Sequence, residues 1–417
     1  MNFAQTEAID TGTLQVRVTS DIGFEPIENA SIRISYTGDP DSIIEEISTD
    51  RNGLTELITL NTPPLEYSME PGRNQPYSEY TIQITAPNYA PLTISGAELM
   101  SGVTSTQSAS LSPFITGEDT YNVYVIGPHT LYGDYPPKIP ESEIKPLEES
   151  GEIVLSRVVI PEYIIVHDGA VSDSTAQNYY VKYKDYIKNV ASCEIYSTWK
   201  RSTIEANVLA IMSFTLNRVY TEWYRNRGYD FTITSSTAYD HKWIPGKNTF
   251  DTINEVVDEI FSSYLSRPNV SQPILTQYCD GKRVTCSGWM TQWGSKDLGD
   301  QGYAPIDILR YYYGDDMYIN IADEISGVPA SWPGRDLSIG SSGDKVRQMQ
   351  AQINRIAQAY PSIPTVSVDG RFGEGTARAV RQFQNVFGLS ATGVVDYPTW
   401  YKISEIYVAV SRIAELR

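Results

Sequence analysis

Residues 186–220 read YIKNVASCEIYSTWKRSTIEANVLAIMSFTLNRVY, and the reading of this stretch decides what the middle of the chain is. Ala206, Leu209, Ala210, Phe214, Leu216, Val219, Tyr220 and Trp223 recur at helical spacing. They predict a helix of roughly six turns that stops at Arg227-Gly228, with basic residues in the last turn and glycine at the end. Just before it, Glu194 stands among Ala191, Cys193, Ile195, Tyr196 and Trp199. A carboxyl in such company holds its proton, because burial penalises the charged form. Glu205 and Glu222 lie instead among Arg201, Arg218, Arg225 and Arg227, where ion pairing favours the ionised state. Upstream, VVIPEYIIVHDG (158–169) reads as a buried strand, and downstream YDFTIT (229–234) reads as another. Residues 153–326 are therefore expected to form an α+β domain.

Outward from this centre the pattern changes. TLQVRVTS, ASIRISYT, LTELITL, YTIQITAP and PLTISG alternate apolar and polar residues between Gly-, Pro- and Asp-rich breaks. That period of two predicts short antiparallel strands in an all-β sandwich over residues 1–127. The stretch GPHTLYGDYPPKIPESEIKPLEESGE is rich in Pro and Glu, so residues 128–152 are expected to be an exposed linker open to proteolysis. A second linker spans 327–336. In 337–417, Val346, Met349, Ile353, Ile356 and Tyr360, then Ala377, Val380, Phe383 and Phe387, fall at helical spacing, with Ser342 or Asp344 as the first cap. The expectation is a multidomain chain: N-terminal sandwich, central α+β domain, C-terminal three-helix bundle.

The 417 residues carry 32 basic and 51 acidic side chains, a net charge of −19. Residues 1–150 hold 22 acidic and 6 basic of these, so the first third accounts for most of the imbalance. Such a charge repels phosphate backbones and anionic lipid, and no apolar run is long enough to cross a bilayer, so neither nucleic acid nor membrane is an expected partner. The first residues, MNFAQTEAID, lack the basic and apolar regions of a signal peptide. With three histidines and three cysteines, clustered zinc ligands and a disulfide framework are both disfavoured. A Cys193–His241 thiol dyad would need a proximity that sequence does not show.

Three resemblances sharpen this reading. Gly-x-Leu-x-Val-x-Val at 12–18, PIENASIRI, STDRNGLTELITL and APNYAPLTISG resemble transthyretin-like, carboxypeptidase-regulatory sandwiches, which pack or bind. LSIGSSGDKVRQMQ, VDGRFGEGTARAVRQFQ and GLSATGVVDYPTW resemble the peptidoglycan-binding three-helix module, for which loop residues Asp369, Arg371 and Phe372 are candidate contacts. The 186–220 stretch, with GWMTQWGSKDLGDQGYAPIDILRYYYG at 288–314, resembles the stage II sporulation protein D family of lytic transglycosylases.

This last resemblance implies Glu194 as the catalytic acid, Ser287, Gln292 and Trp293 as substrate contacts, and Tyr239 with His241 on a substrate loop. Trp289 and Trp293 could equally be core. Some relatives carry a His-Cys pair that helps bind zinc where this chain has Ser235-Ser236, so Cys279 and Cys286 lack those ligands and no metal or other cofactor is expected. The combination of modules resembles the spore cortex-lytic enzymes of clostridia. It implies a zymogen made in the mother cell, acting on spore cortex peptidoglycan strands, with its N-terminal region removed by a subtilisin-like protease. Two alternatives stay open: a non-catalytic peptidoglycan-binding scaffold, and a muramidase using water and a second acid such as Asp240.

Overall fold

The computed structural model describes residues 9–21, 25–114, 121–145, 157–322, 324–326 and 333–411. The N-terminal strands are β1 (Asp10–Ser20), β2 (Ser31–Tyr36), β3 (Asp39–Ser48), β4 (Ile58–Thr62), β5 (Ser78–Thr85), β6 (Leu92–Leu99), β7 (Thr104–Leu111) and β8 (Asn122–Val125), with a one-turn helix α1 (Glu66–Met69) after β4. They build two sheets, in which β7, β1 and β4 face the order β3-β2-β5-β6-β8. The alternation sends Leu14, Val16 and Val18 inward against Ile32, Ile34, Ile82, Ile84 and Ile94. The strands are not all antiparallel as expected, since β1 pairs with β7 and β6 with β8 in parallel.

The central region follows as β9 (Val159–Ile160), β10 (Tyr163–His167), β11 (Asn178–Lys182), α2 (Tyr183–Glu194), α3 (Arg201–Tyr220), β12 (Ile233–Thr234), β13 (Thr249–Phe250), α4 (Asp251–Ile260), β14 (Ser263–Ser266), β15 (Tyr278–Cys279), β16 (Met290–Thr291), α5 (Gln292–Asp300), α6 (Pro305–Tyr313), β17 (Tyr318–Ile321) and β18 (Glu324–Ile325). Helix α3 is buried on nearly every side, which is why its sequence is apolar around most of its circumference. It ends at Tyr220, short of the expected stop, and Gly228 closes a separate turn of 3-10 helix with φ +83°. YDFTIT contributes only the two residues of β12.

Sandwich and centre are joined by backbone pairing. Strand β13 adds to the sandwich sheet, with Thr249 opposite Thr106 and Phe250 opposite Ser105. Asn248 clamps the main chain of Glu98 from both sides, at 2.9 and 2.7 Å, and the Glu98 carboxylate meets Lys247 Nζ at 2.5 Å with both side chains almost fully buried. Gly246 (φ +76°) lets this segment approach, because a Cβ there would stand 2.6 Å from the Tyr124 ring.

Helices α7 (Asp344–Ala359), α8 (Glu374–Phe387) and α9 (Tyr397–Ser411) make the helical C-terminal region. The predicted stripe Val346, Met349, Ile353, Ile356 and Tyr360 is buried throughout. Gly343 precedes α7, and neither Ser342 nor Asp344 supplies a side-chain cap. The region packs on the centre through Phe261 against Tyr397 and Tyr401, and through Lys182 and Lys184 to Glu405.

The expected exposed linker is different in kind. Residues 128–145 lie on the central region as an anchored strap, while 146–156, including the expected cleavage stretch, and most of the 327–336 linker fall outside the described residues. His129, Leu131 and Lys145 are buried. Thr130 N bonds Cys193 O, Ile139 N bonds Ala238 O, and Leu275 N bonds Glu143 O. Pro-rich composition predicts extended backbone without internal pairing, and here the unpaired groups find partners on the neighbouring surface.

Candidate active site

Glu194 is the last residue of α2, and its side chain is 3% exposed. One carboxylate oxygen accepts from Lys242 N at 2.6 Å and the other from the Tyr278 hydroxyl. Gln292 Nε2 holds the Glu194 carbonyl at 2.8 Å. Burial pushes the Glu194 carboxyl above its usual range, against the opposing pull of the Lys138 ammonium. The phenol of Tyr278 is driven far up by burial and by the adjacent carboxyl, so it stays a donor. The result is a fixed carboxyl whose proton is held more tightly than that of a solvent-exposed glutamate.

A 60 Å³ cavity opens at Glu194. Tyr278, Asp280, Arg283 and Gln292 line it from the centre, and Thr130, Gly133, Tyr135, Pro136 and Lys138 line it from the strap. Liquid water occupies roughly 30 Å³ per molecule and small-molecule sites run to several hundred. The space beside Glu194 is therefore small against a sugar site, and strap residues form part of its wall. Lys138 Nζ bonds Asp240 O and lies over the rings of Phe214 and Tyr278 at 5.3 and 5.1 Å.

The sequence candidates distribute unevenly around this cavity. Gln292 lines it. His241 does not reach it as a sugar contact: it is fully buried, with Nδ1 3.1 Å from Tyr186 OH and its ring stacked on Tyr278. Burial holds its imidazole well below the usual range, so it is neutral. Tyr239 is half-buried outside the lining, and its carbonyl accepts from Arg218 Nη2 at 3.2 Å. Ser287 is exposed on the loop beyond Cys286. Trp293 is 3% exposed and packs on Trp199 and Tyr196 at 5.1 and 5.9 Å, so it belongs to the core. Trp293→Ala is accordingly expected to lower unfolding stability by about 3–5 kcal/mol. Denaturant titration checks this, since a solvent-facing sugar platform would leave stability nearly unchanged.

In the C-terminal region Phe372 is 2% exposed and is core, whereas Asp369 and Arg371 are exposed. Asp369 Oδ1 accepts from Arg371 N and Gln350 Nε2 at 2.9 and 3.0 Å, and these bonds hold its carboxyl below the usual range. Asp240 is also corrected. Its carboxylate is buried and accepts from Arg218 Nε, Tyr224 OH, Thr234 N and Thr234 Oγ1 within 2.9 Å, leaving nothing for water activation. Burial pushes the half-buried Glu205 and Glu222 above their usual range, against the pull of Arg201 and Arg225, and neither lines the cavity.

Sequence reasoning missed Tyr278, Asp280 and Lys138, which arrive from two loops with no periodic pattern. Asp280 lines the cavity and accepts from Arg283 N at 2.8 Å and Val284 N at 2.7 Å. Its loop is closed by a Cys279–Cys286 disulfide. Cys193 is buried with its thiol pushed up to about 12 by burial, which rules out the thiol dyad. Among the described residues no group of three or more His, Cys, Asp or Glu side chains is placed to hold a metal. Nor is any helix among them long and apolar enough to cross a membrane.

Residues 342–403 match the family model for a putative peptidoglycan binding domain. The chain is 39% identical over 77 residues to the zinc D-Ala-D-Ala carboxypeptidase of Streptomyces albus G, spanning 18% of this chain and 28% of that protein. A protein from the bpoA1 3′ region of Kitasatospora aureofaciens is 40% identical over 68 residues, 16% of this chain and 53% of its own. Among solved structures, the SleB N-terminal domain is 30% identical over 18% of this chain and 99% of its own, at a TM-score of 0.16. The chain thus spans well under two thirds of the curated relatives it matches. Residues 342–403 are thus similar to putative peptidoglycan-binding domains.

Proposed function

We propose that this chain is the closed precursor of a peptidoglycan lytic transglycosylase, and that it cuts the MurNAc–GlcNAc β-1,4 bonds of spore cortex during germination. The observation that carries the reading is the buried carboxyl of Glu194, pushed upward by burial and held by Tyr278 and Lys242 in a cavity that the strap helps to line. In the proposed reaction Glu194 gives its proton to the departing GlcNAc O4 as the C1–O4 bond breaks, while the substrate N-acetyl group shields C1. The muramic C6 hydroxyl then forms the C1–O6 bond and its proton returns to Glu194. One acid serves both steps and no water is consumed.

Mass spectrometry of digested glycan tests this. 1,6-Anhydro ends are expected, and reducing, hydrated ends would establish hydrolysis instead. Asp280, a second carboxylate on the same cavity, favours that second reading and would serve as the base for water. Because the acid must be protonated, turnover is expected to fall as pH rises through the elevated range of Glu194. A pH–rate profile without a falling alkaline limb would remove Glu194 from that role. In this reading a subtilisin-like protease partner cuts between the strap and the centre, and the chain acts at the spore cortex, made in the mother cell. The strap lining the cavity supports a precursor whose cleft opens only after that cut.

A further inference from the structure

The strap does more than line the cavity. Its two glutamates are each gripped by a forked guanidinium of the central region. Glu141 receives Arg218 Nη1 and Nη2 at 3.0 and 2.5 Å, and Glu143 receives Arg267 Nε and Nη2 at 2.7 and 2.8 Å. Both arginines are positioned without the strap's help. Arg218, with no side-chain exposure, is held by Asp240 Oδ1 on Nε and by the Tyr239 carbonyl. Arg267 is held by the Tyr313 carbonyl at 2.6 Å and by Asp316. Removing the strap therefore uncovers two oriented guanidinium forks, each lacking the carboxylate it now binds. Forked pairing is selective for carboxylate geometry. The Arg218 site is linked to the chemistry: Asp240, which steadies Arg218, also takes the Lys138 ammonium on its carbonyl, and Lys138 lines the Glu194 cavity.

From this geometry we infer that the strap is a substrate mimic, and that Arg218 and Arg267 are subsites for carboxylates borne by the muramic residues of the glycan. Those carboxylates come from the lactyl group itself or from the peptide attached to it. The inference rests on the proposed reading of Glu194 as the cutting acid only in supposing that the strap leaves. It concerns binding, so its test is made without bond cleavage.

The full-length Glu194→Gln chain is compared with the same chain carrying Glu141→Gln and Glu143→Gln, which loosen the strap. Three soluble glycan fragments are titrated: one with peptides, one stripped to lactyl carboxylates, and one stripped and then amidated at those carboxylates. The loosened chain is expected to bind a carboxylate-bearing fragment about tenfold or more tighter than the amidated one. Hydrogen exchange at the Ile139 and Glu141 amides should accelerate as the fragment displaces the strap. Whichever of the first two fragments does this identifies the carboxylate source. Adding Arg267→Gln should reduce the preference, whereas binding by residues 342–403 would be indifferent to it. Equal affinity for free and amidated fragments overturns the inference. So does an Arg267→Gln change without effect, or exchange at those two amides that no fragment alters. Intact selective binding by a chain whose wild type releases no soluble fragments would instead overturn the proposed reaction and leave the subsites standing.

Discussion

Replacing Glu194 by glutamine is expected to reduce release of soluble muropeptides from peptidoglycan by about 10²–10⁴-fold in the activated protein, with binding to insoluble wall material retained. Glutamine keeps the shape of the side chain and still accepts from Lys242 N, but it has no proton to give to a departing sugar oxygen. Tyr278 cannot substitute, because burial holds its phenol far above any working pH. Binding persists because residues 342–403 form a separate helical region in which Glu194 has no part. Turbidity loss and chromatography of released fragments measure the first effect, and co-sedimentation with wall material measures the second. If the wild-type chain, cut in the 146–156 stretch, releases nothing and the variant binds equally well, the chain is a binding scaffold and the transglycosylase reading falls.

The second large effect is expected at the sandwich–centre junction. Lys247→Met leaves the Glu98 carboxyl buried without its cation, and breaking a buried pair in this way costs about 3–5 kcal/mol. The loss should depend on pH. Burial, opposed by Lys247, pushes Glu98 up to about 7. A group raised from its ordinary value of 4.5 contributes stability that is complete below that value and is lost as pH rises through 7. Without Lys247 the folded protein must protonate Glu98 or bury its charge, so the variant should be markedly weaker at pH 8 than at pH 5. Denaturant titrations at those two pH values check this. Glu98→Gln combined with Lys247→Met should recover much of the loss, because both buried charges are then gone. A variant equally destabilised at both pH values would show that Glu98 does not titrate at the junction.

Periodicity made the buried faces legible. The stripes of β1, α7 and α8 could be read because one apolar residue in two, or one in three to four, must face a core. The apolar setting of Glu194 was visible for the same reason, since its neighbours are close in sequence. For Trp293, His241 and Phe372 the sequence does not distinguish cleft from core, because an aromatic or imidazole ring suits both, and only the surrounding contacts decide. The strap was misread for a related cause. Proline and glutamate leave backbone groups unpaired locally, and whether water or protein satisfies them depends on what lies alongside.

Sequence alone determined the main periodic stripes, the uneven charge, the motifs of the region 342–403 that matches a putative peptidoglycan-binding domain, and the apolar setting of one carboxyl. Tertiary structure decided which groups meet that carboxyl. Tyr278, Lys242 and Lys138 come from positions 84, 48 and 56 residues from Glu194. It also decided that Glu141 and Glu143, which a sequence reads as solvated linker charge, are held by Arg218 and Arg267. The physical reason is range. Burial patterns repeat along the chain and leave a local trace, whereas a hydrogen bond or ion pair acts over a few ångströms in space between residues whose separation in sequence is unconstrained.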